Sequence, residues 1–490
     1  MEKNTPCEKK LPSLWPVPNR SLWPVSDRAT PMTEGLLGRG DLRSGRGGVG
    51  RPAPNLGPAP NLNVLRSRRR FLKGSIAAAA GAELAWARTA HAAGSDAIKI
   101  GLIGCGGRGS GAAANAMNAG KDVRLVALAD VFDDRLQGAR GRLKKLYAEQ
   151  VAVDDEHCFL GFDGYEKLIH SGVDVVLCAA ASHFHPLHLA AAVAAGKHVF
   201  CEKPHGLDVP GLKMAMAAAE EARKKRLCLV SGLCWRYDPG VREAMRRVRD
   251  GAIGEIVAIQ ETYIGTPYVL RERRPEWSEM QYQLQNWYHF NWLSGDQTAQ
   301  QLVHSLDKAS WALGDKPPLK AWGLGGRQVC LEPKYGDQFD HHAVVFEYAD
   351  GVRVFGFCRD MLGCYNETSD VILGSKGRAI LPSRPRIEGA HPWRYEGPQP
   401  SMYDVEHKEL FDAIRGGRLI HNGDYMFTSS MLGIMAQMVC YTGQEITWEK
   451  AMGSESSFSL PRYTWEAEPP VKPQADGRYA TAMPGVTKFR

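Results

Sequence analysis

The sequence predicts an α/β protein whose first folded half is a doubly wound parallel sheet. Three observations predict it. From residue 97 to residue 231, short apolar runs alternate with helical segments. A glycine loop, Gly104-Cys105-Gly106-Gly107-Arg108-Gly109, follows the first apolar run at once. The second run ends on a carboxylate, Asp130.

Each element has its own reason. Residues 97–103, Ala-Ile-Lys-Ile-Gly-Leu-Ile, are too continuously apolar for a half-exposed strand and read as a buried parallel one. In the loop, Gly104 allows a tight turn and Gly106 lets backbone approach a pyrophosphate. Gly109 lets the next helix lie on the strand. That helix, about 110–119, would offer free N–H groups to phosphates, with Gly107 and Arg108 at its mouth. The strand at 123–129 places Asp130 where a carboxylate accepts from adenosine ribose hydroxyls. The same charge repels a 2′-phosphate, so NAD is expected over NADP. Helices at 165–171, 185–195 and 209–225 then alternate with strands at 173–180, 197–201 and 226–231.

Composition bounds the rest. The chain has 490 residues and a formal charge of +7. Residues 1–92 hold 15 Lys+Arg against 6 Asp+Glu, and the remainder 46 against 48. The basic excess belongs to the leader, so no nucleic-acid partner is expected. The 11 cysteines lack metal-ligand spacing, and several lie in apolar runs as small hydrophobes. His183, His185 and His188 are loosely spaced without an obvious completing ligand, so no metal site is expected.

Residues 1–66 are rich in Pro, Gly and Arg, repeat Ser-Leu-Trp-Pro-Val at Ser13 and Ser21, and read as a disordered extension or a misassigned start. Residues 67–92 read as a twin-arginine signal: Arg68-Arg69, an alanine-rich run, then Ala90-His91-Ala92. This predicts passage through the Tat translocase to a periplasmic location. Domain boundaries are expected at 97–232 for the nucleotide domain, 233–452 for a second domain and 453–490 for a tail.

Ala195-Gly-Lys-His-Val-Phe-Cys-Glu202-Lys203-Pro204 resembles the AGKHVxxEKP motif of the glucose–fructose oxidoreductase, inositol dehydrogenase and MocA family (Gfo/Idh/MocA). Trp235-Arg236-Tyr237-Asp238-Pro239 and His304-Ser-Leu-Asp307 strengthen the resemblance. It implies a second α+β domain with a large, open, mostly antiparallel sheet that covers the nicotinamide and often forms an oligomer interface. A homo-oligomer is therefore expected.

The resemblance also implies roles. Lys203 would sit beside nicotinamide and the reacting hydroxyl, and His304 would be the acid/base. Glu202 and His185 would border the cofactor. Arg236, Tyr237, Gln300 and Asp307 would face substrate. Gln300 stands where many relatives have an aspartate four residues before the histidine. Residues 277–296 are dense in aromatics and amides. Trp287 and Asn286 there suit sugar stacking and hydroxyl recognition.

The expected activity is hydride transfer at a CH–OH group of a sugar, polyol or inositol, with NAD as cofactor. The alternative is a redox-neutral enzyme that keeps NAD tightly bound and oxidises its substrate transiently. It would be an NAD-dependent glycosidase or a sugar–sugar oxidoreductase. Export beyond the cytoplasmic cofactor pool favours tight binding.

Overall fold

The computed structural model describes residues 97–381 and 384–489. The extension at 1–66 and the signal at 67–92 lie outside the described residues. Six strands form one parallel sheet: β1 (Ile98–Ile103), β2 (Val123–Asp130), β3 (Cys158–Leu160), β4 (Val175–Cys178), β5 (His198–Cys201) and β6 (Leu229–Ser231). Their order is β3-β2-β1-β4-β5-β6. Ile100, Leu102, Val175, Val176 and Leu177 are fully buried because helices cover both faces. The order reverses between β1 and β4, and the crevice outside their carboxyl ends is where such sheets bind ligands.

The second sheet has nine strands. These are β7 (Ile256–Gly265), β8 (Lys320–Gly326), β9 (His341–Glu347), β10 (Arg353–Asp360), β11 (Glu367–Gly374), β12 (Gly377–Ile380), β13 (Arg386–Gly389), β14 (Trp393–Arg394) and β15 (Ile446–Thr447). Their order is β14-β13-β12-β11-β7-β10-β9-β8-β15, antiparallel throughout except for the β7–β10 pair. Residues 339–348 and 351–359 alternate in sequence like a hairpin around Ala349-Asp350-Gly351, and β9 and β10 form it with Asp350 at φ 67° in the turn. Alternation along β9 buries His342, Val344 and Phe346. That buried face packs on helices Val303–Ala312 and Gly423–Thr442 through Leu306, Met431 and Met435. Val257, Leu324, Phe357 and Leu373 remain exposed.

The chain then returns to its beginning. Helix Met402–Arg415 buries Leu410 and Phe411 in the core that contains Ile100 and Leu125. Arg415 pairs with Asp122 at 2.7 Å, and Asn422 Oδ1 accepts from the Ser231 N–H at 3.0 Å. The first core is thus completed by residues some 190 positions beyond the expected boundary at 232.

Candidate active site

A cavity of about 560 Å³ opens at the reversal point. Gly104 to Gly109, Asp130, Phe132, Arg135, Phe162, Tyr165, Ala180, Phe184, His188, Tyr268, Trp287 and Tyr288 line it. The glycines behave differently from one another. Gly104 takes φ +94°, and a Cβ there would strike Ala180 N at 2.4 Å. A Cβ on Gly109 would lie 1.8 Å from Gly104 O, so only glycine lets the helix sit this close. Gly106 and Gly107 face open space. Their backbone leads into helix Gly107–Asn118, whose first N–H groups lack intrahelical acceptors. This cradle fits the pyrophosphate of a dinucleotide, and Gly104 to Gly109 would hold it.

Asp130 closes the ribose end. Its Oδ2 accepts from Cys105 N–H at 2.7 Å and its Oδ1 from Phe132 N–H at 2.9 Å. Each carboxylate oxygen has a second lone pair left for a ribose hydroxyl. Burial raises this carboxyl above its ordinary value, against those two N–H groups. Arg108 lies 3.0 Å from Glu202 Oε1 and stacks 4.6 Å over the Tyr403 ring. Arg135 donates to Gln285 Oε1 at 2.8 Å and lies over Phe132.

Lys203 follows β5, and neither it nor His304 lines that cavity. Residues Thr298–Leu302 form a π-helical turn ahead of helix Val303–Ala312. Such turns insert one residue and concentrate at functional sites. Lys203 Nζ donates to the Gln300 carbonyl in that turn. Burial pushes the Lys203 ammonium below its ordinary value. His304 follows the turn directly, and its Nδ1 is buried with no hydrogen-bond partner among the described residues. Burial first, then the charges of Lys203 and Lys308, hold the imidazole well below the usual histidine range. A neutral imidazole beside an ammonium can accept a proton while the ammonium stabilises the oxygen left behind.

Several expected substrate contacts are corrected by the fold. Arg236 Nε donates to Asp307 at 2.9 and 3.1 Å, and its other nitrogens reach Asp315. Arg236 and Asp307 therefore bind each other. Tyr237 is buried, and its hydroxyl donates to Asn422 Oδ1 at 2.8 Å. Asn286 donates to Lys334 O and accepts from Arg271 N–H, so it fastens two loops. The Gln300 amide donates to Ser182 Oγ at 2.6 Å and Ser294 O at 2.8 Å; only its backbone meets Lys203.

His185 lies under the site, its ring nitrogens 2.7 Å from Pro204 O and 3.0 Å from Ala180 O. His188, one helical turn on, lines the cavity instead. Of the aromatic-rich segment, Trp287 and Tyr288 reach the cavity, stacked at 3.9 Å. Tyr282, Phe290 and Trp292 are packed inside. Phe132, Phe162, Tyr165 and Tyr268 are cavity residues that carried no motif, because they arrive from segments separate in sequence.

The parallel sheet, the glycine cradle and the carboxylate at the end of β2 define a dinucleotide-binding oxidoreductase. The profile of an oxidoreductase family with an NAD-binding Rossmann fold, GFO_IDH_MocA, matches residues 98–231. Residues 98–231 thus carry the NAD-binding Rossmann domain of this family. It is 26% identical over 337 residues to inositol 2-dehydrogenase 3 of Saccharopolyspora erythraea, covering 65% of this chain and 86% of that one. It is 28% identical over 336 residues to inositol 2-dehydrogenase of Burkholderia cenocepacia, covering 66% and 87%. Among solved structures, levoglucosan dehydrogenase with NADH and levoglucosan superposes with TM-score 0.58 at 17% identity, covering 72% of this chain and 99% of that one. The aldose–aldose oxidoreductase of Caulobacter crescentus gives 0.57 at 20% identity, with the same coverage.

The pH profile of kcat/KM is expected to be a bell with both limbs displaced toward acid. His304 must be neutral to accept a proton, and its pKa is depressed. The acid limb therefore lies below the ~6.5 of an ordinary histidine. Lys203 must be charged and is also depressed, so the alkaline limb lies below ~10.4. An acid limb at or above an ordinary histidine value would exclude His304 as the base.

Proposed function

We propose that this protein oxidises a CH–OH carbon of a sugar, polyol or inositol, transferring hydride to NAD. The observation that carries this reading is the Lys203 ammonium anchored on the π turn immediately ahead of His304. When bound, the nicotinamide supplies the hydride acceptor. Gly104 to Gly109 hold the pyrophosphate and Asp130 the adenosine ribose. Lys203 lies against the reacting hydroxyl oxygen and stabilises its developing negative charge. His304 takes the hydroxyl proton as the carbon–hydrogen bond breaks. Trp287 and Tyr288 offer aromatic faces suited to sugar C–H surfaces. The inositol dehydrogenase relatives support the substrate class.

The test is an assay of NADH formation with NAD and a panel of inositols, aldoses and alditols. Stoichiometric NADH with at least one is the expected result. Cleavage of a glycoside without net NADH, or no turnover of any polyol, would overturn it. In the same assay, Asp130→Ala is expected to raise the KM for NAD about tenfold or more, as loss of a charged hydrogen bond requires. It should also narrow the preference for NAD over NADP, because the charge that repels a 2′-phosphate is gone. An unchanged NAD/NADP ratio would remove Asp130 from the ribose site.

A further inference from the structure

We propose that the C-terminal segment 453–489 holds the cofactor in place, with Tyr463 and Trp465 as positioning residues behind the nucleotide cavity. The inference rests on the NAD-dependent reading above. The segment forms no long helix or strand. It is nonetheless packed: Phe458, Leu460, Tyr463, Trp465 and Val471 join a cluster with Phe132, Phe184, Phe290 and Trp292.

What makes the contact informative is which residues it backs. Phe132, Phe162 and Phe184 follow β2, β3 and β4, and all three line the cavity. The Trp465 ring lies 5.4 Å from Phe132 and 4.9 Å from Phe162. The Tyr463 ring lies 5.1 Å from Phe184 and 6.4 Å from Phe162. The Tyr463 hydroxyl and His183 Nε2 are 2.7 Å apart, and His183 immediately precedes Phe184. Burial pushes His183 down to about 4, so the ring is neutral at ordinary pH.

The same segment is also fastened to residues 278–283. Ser278 Oγ donates to Trp465 O at 2.8 Å, and Gln283 Nε2 donates to Val471 O at 2.7 Å. Tyr479 donates to Glu279 Oε1 at 2.6 Å. Residues 278–285 lead into Trp287 and Tyr288, which also line the cavity. One stretch of chain thus ties together, from behind, the cavity aromatics that follow β2, β3 and β4 and the segment that leads into Trp287 and Tyr288. A dinucleotide leaves when the walls part, and parting them breaks these contacts. The consequence falls on the dissociation rate, where most affinity differences within one binding site reside.

The experiment displaces prebound NADH with excess NAD and follows nucleotide fluorescence in wild type, Trp465→Ala, Trp465→Phe and Tyr463→Phe. Trp465→Ala is expected to release NADH about tenfold faster, as the loss of two aromatic pairs allows. The KM for NAD should rise in step, while kcat at saturating NAD should not fall. Trp465→Phe should restore most of the retention, and Tyr463→Phe, which keeps the ring, should show a smaller acceleration. Release at the wild-type rate in both Trp465→Ala and Tyr463→Phe overturns the proposal. So does a fall in kcat with NAD affinity intact. A wild-type protein that binds no NADH overturns the NAD reading itself, and the role of the segment with it.

Discussion

Lys203→Ala is expected to lower kcat/KM by about 10²–10³, the cost of removing one positioned donor from a developing oxyanion. The ammonium is the charged group that the backbone at the end of β5 delivers to His304, and the Gln300 carbonyl fixes its position. Alanine removes the charge and leaves that carbonyl without its donor. Lys203→Arg should not rescue. A guanidinium is wider and planar, and the site is built around a compact ammonium on a partly buried stem. NADH binding, read by fluorescence, should survive in both variants, because the cradle at Gly104 to Gly109 and Asp130 does not involve the lysine side chain. A Lys203→Ala enzyme within tenfold of wild type, correctly folded and NAD-saturated, would mean that the hydroxyl is activated elsewhere.

The parts of this molecule that were legible in its sequence are those whose cause is local. A continuous apolar run makes a buried strand, and Gly104 and Gly109 stand where a side chain would collide with backbone. Asp130 ends a strand. Ala349-Asp350-Gly351 turns a hairpin. What could not be read arises from contacts distant in sequence. Arg236 and Asp307 are polar residues in motifs that resemble a cleft, and nothing in their spacing shows that they meet 71 positions apart. The π turn at Thr298–Leu302 has no composition signal, yet it presents the Gln300 carbonyl to Lys203 and takes the amide away from substrate. His185 and His188 lie on one short helix, and only their surroundings separate an internal tie from a cavity residue. The helix at Met402–Arg415 completes a core that by sequence ends near residue 232, because its apolar face matches a surface the first half leaves open.

Arg236→Met is expected to cost about 3–5 kcal/mol of stability, the penalty for stranding a buried charge. The side chain of Arg236 is 8% exposed and that of Asp307 1%. The guanidinium grips both Asp307 and Asp315, and its plane stacks 3.8 Å from the Tyr425 ring. Two carboxylates hold it even more firmly charged than an ordinary arginine. Asp307 also accepts from Ser429 Oγ at 2.7 Å. One residue thus joins the segment after β6, the helix that carries His304 and the helix Gly423–Thr442. Methionine fills much of the volume but leaves Asp307 with a single hydroxyl in a dry site. The loss should appear as a lower Tm and, through the displaced His304 helix, a lower kcat. The KM for substrate should hold, because the guanidinium is taken up by Asp307 and Asp315. Adding Asp307→Leu removes the stranded charge, so the double variant should recover part of the lost stability. A direct substrate ligand would behave in the opposite way. An Arg236→Met protein with an unshifted Tm and a raised substrate KM would return this arginine to the cleft, and the pair with Asp307 would lose its place as the fastening of the helix that carries His304.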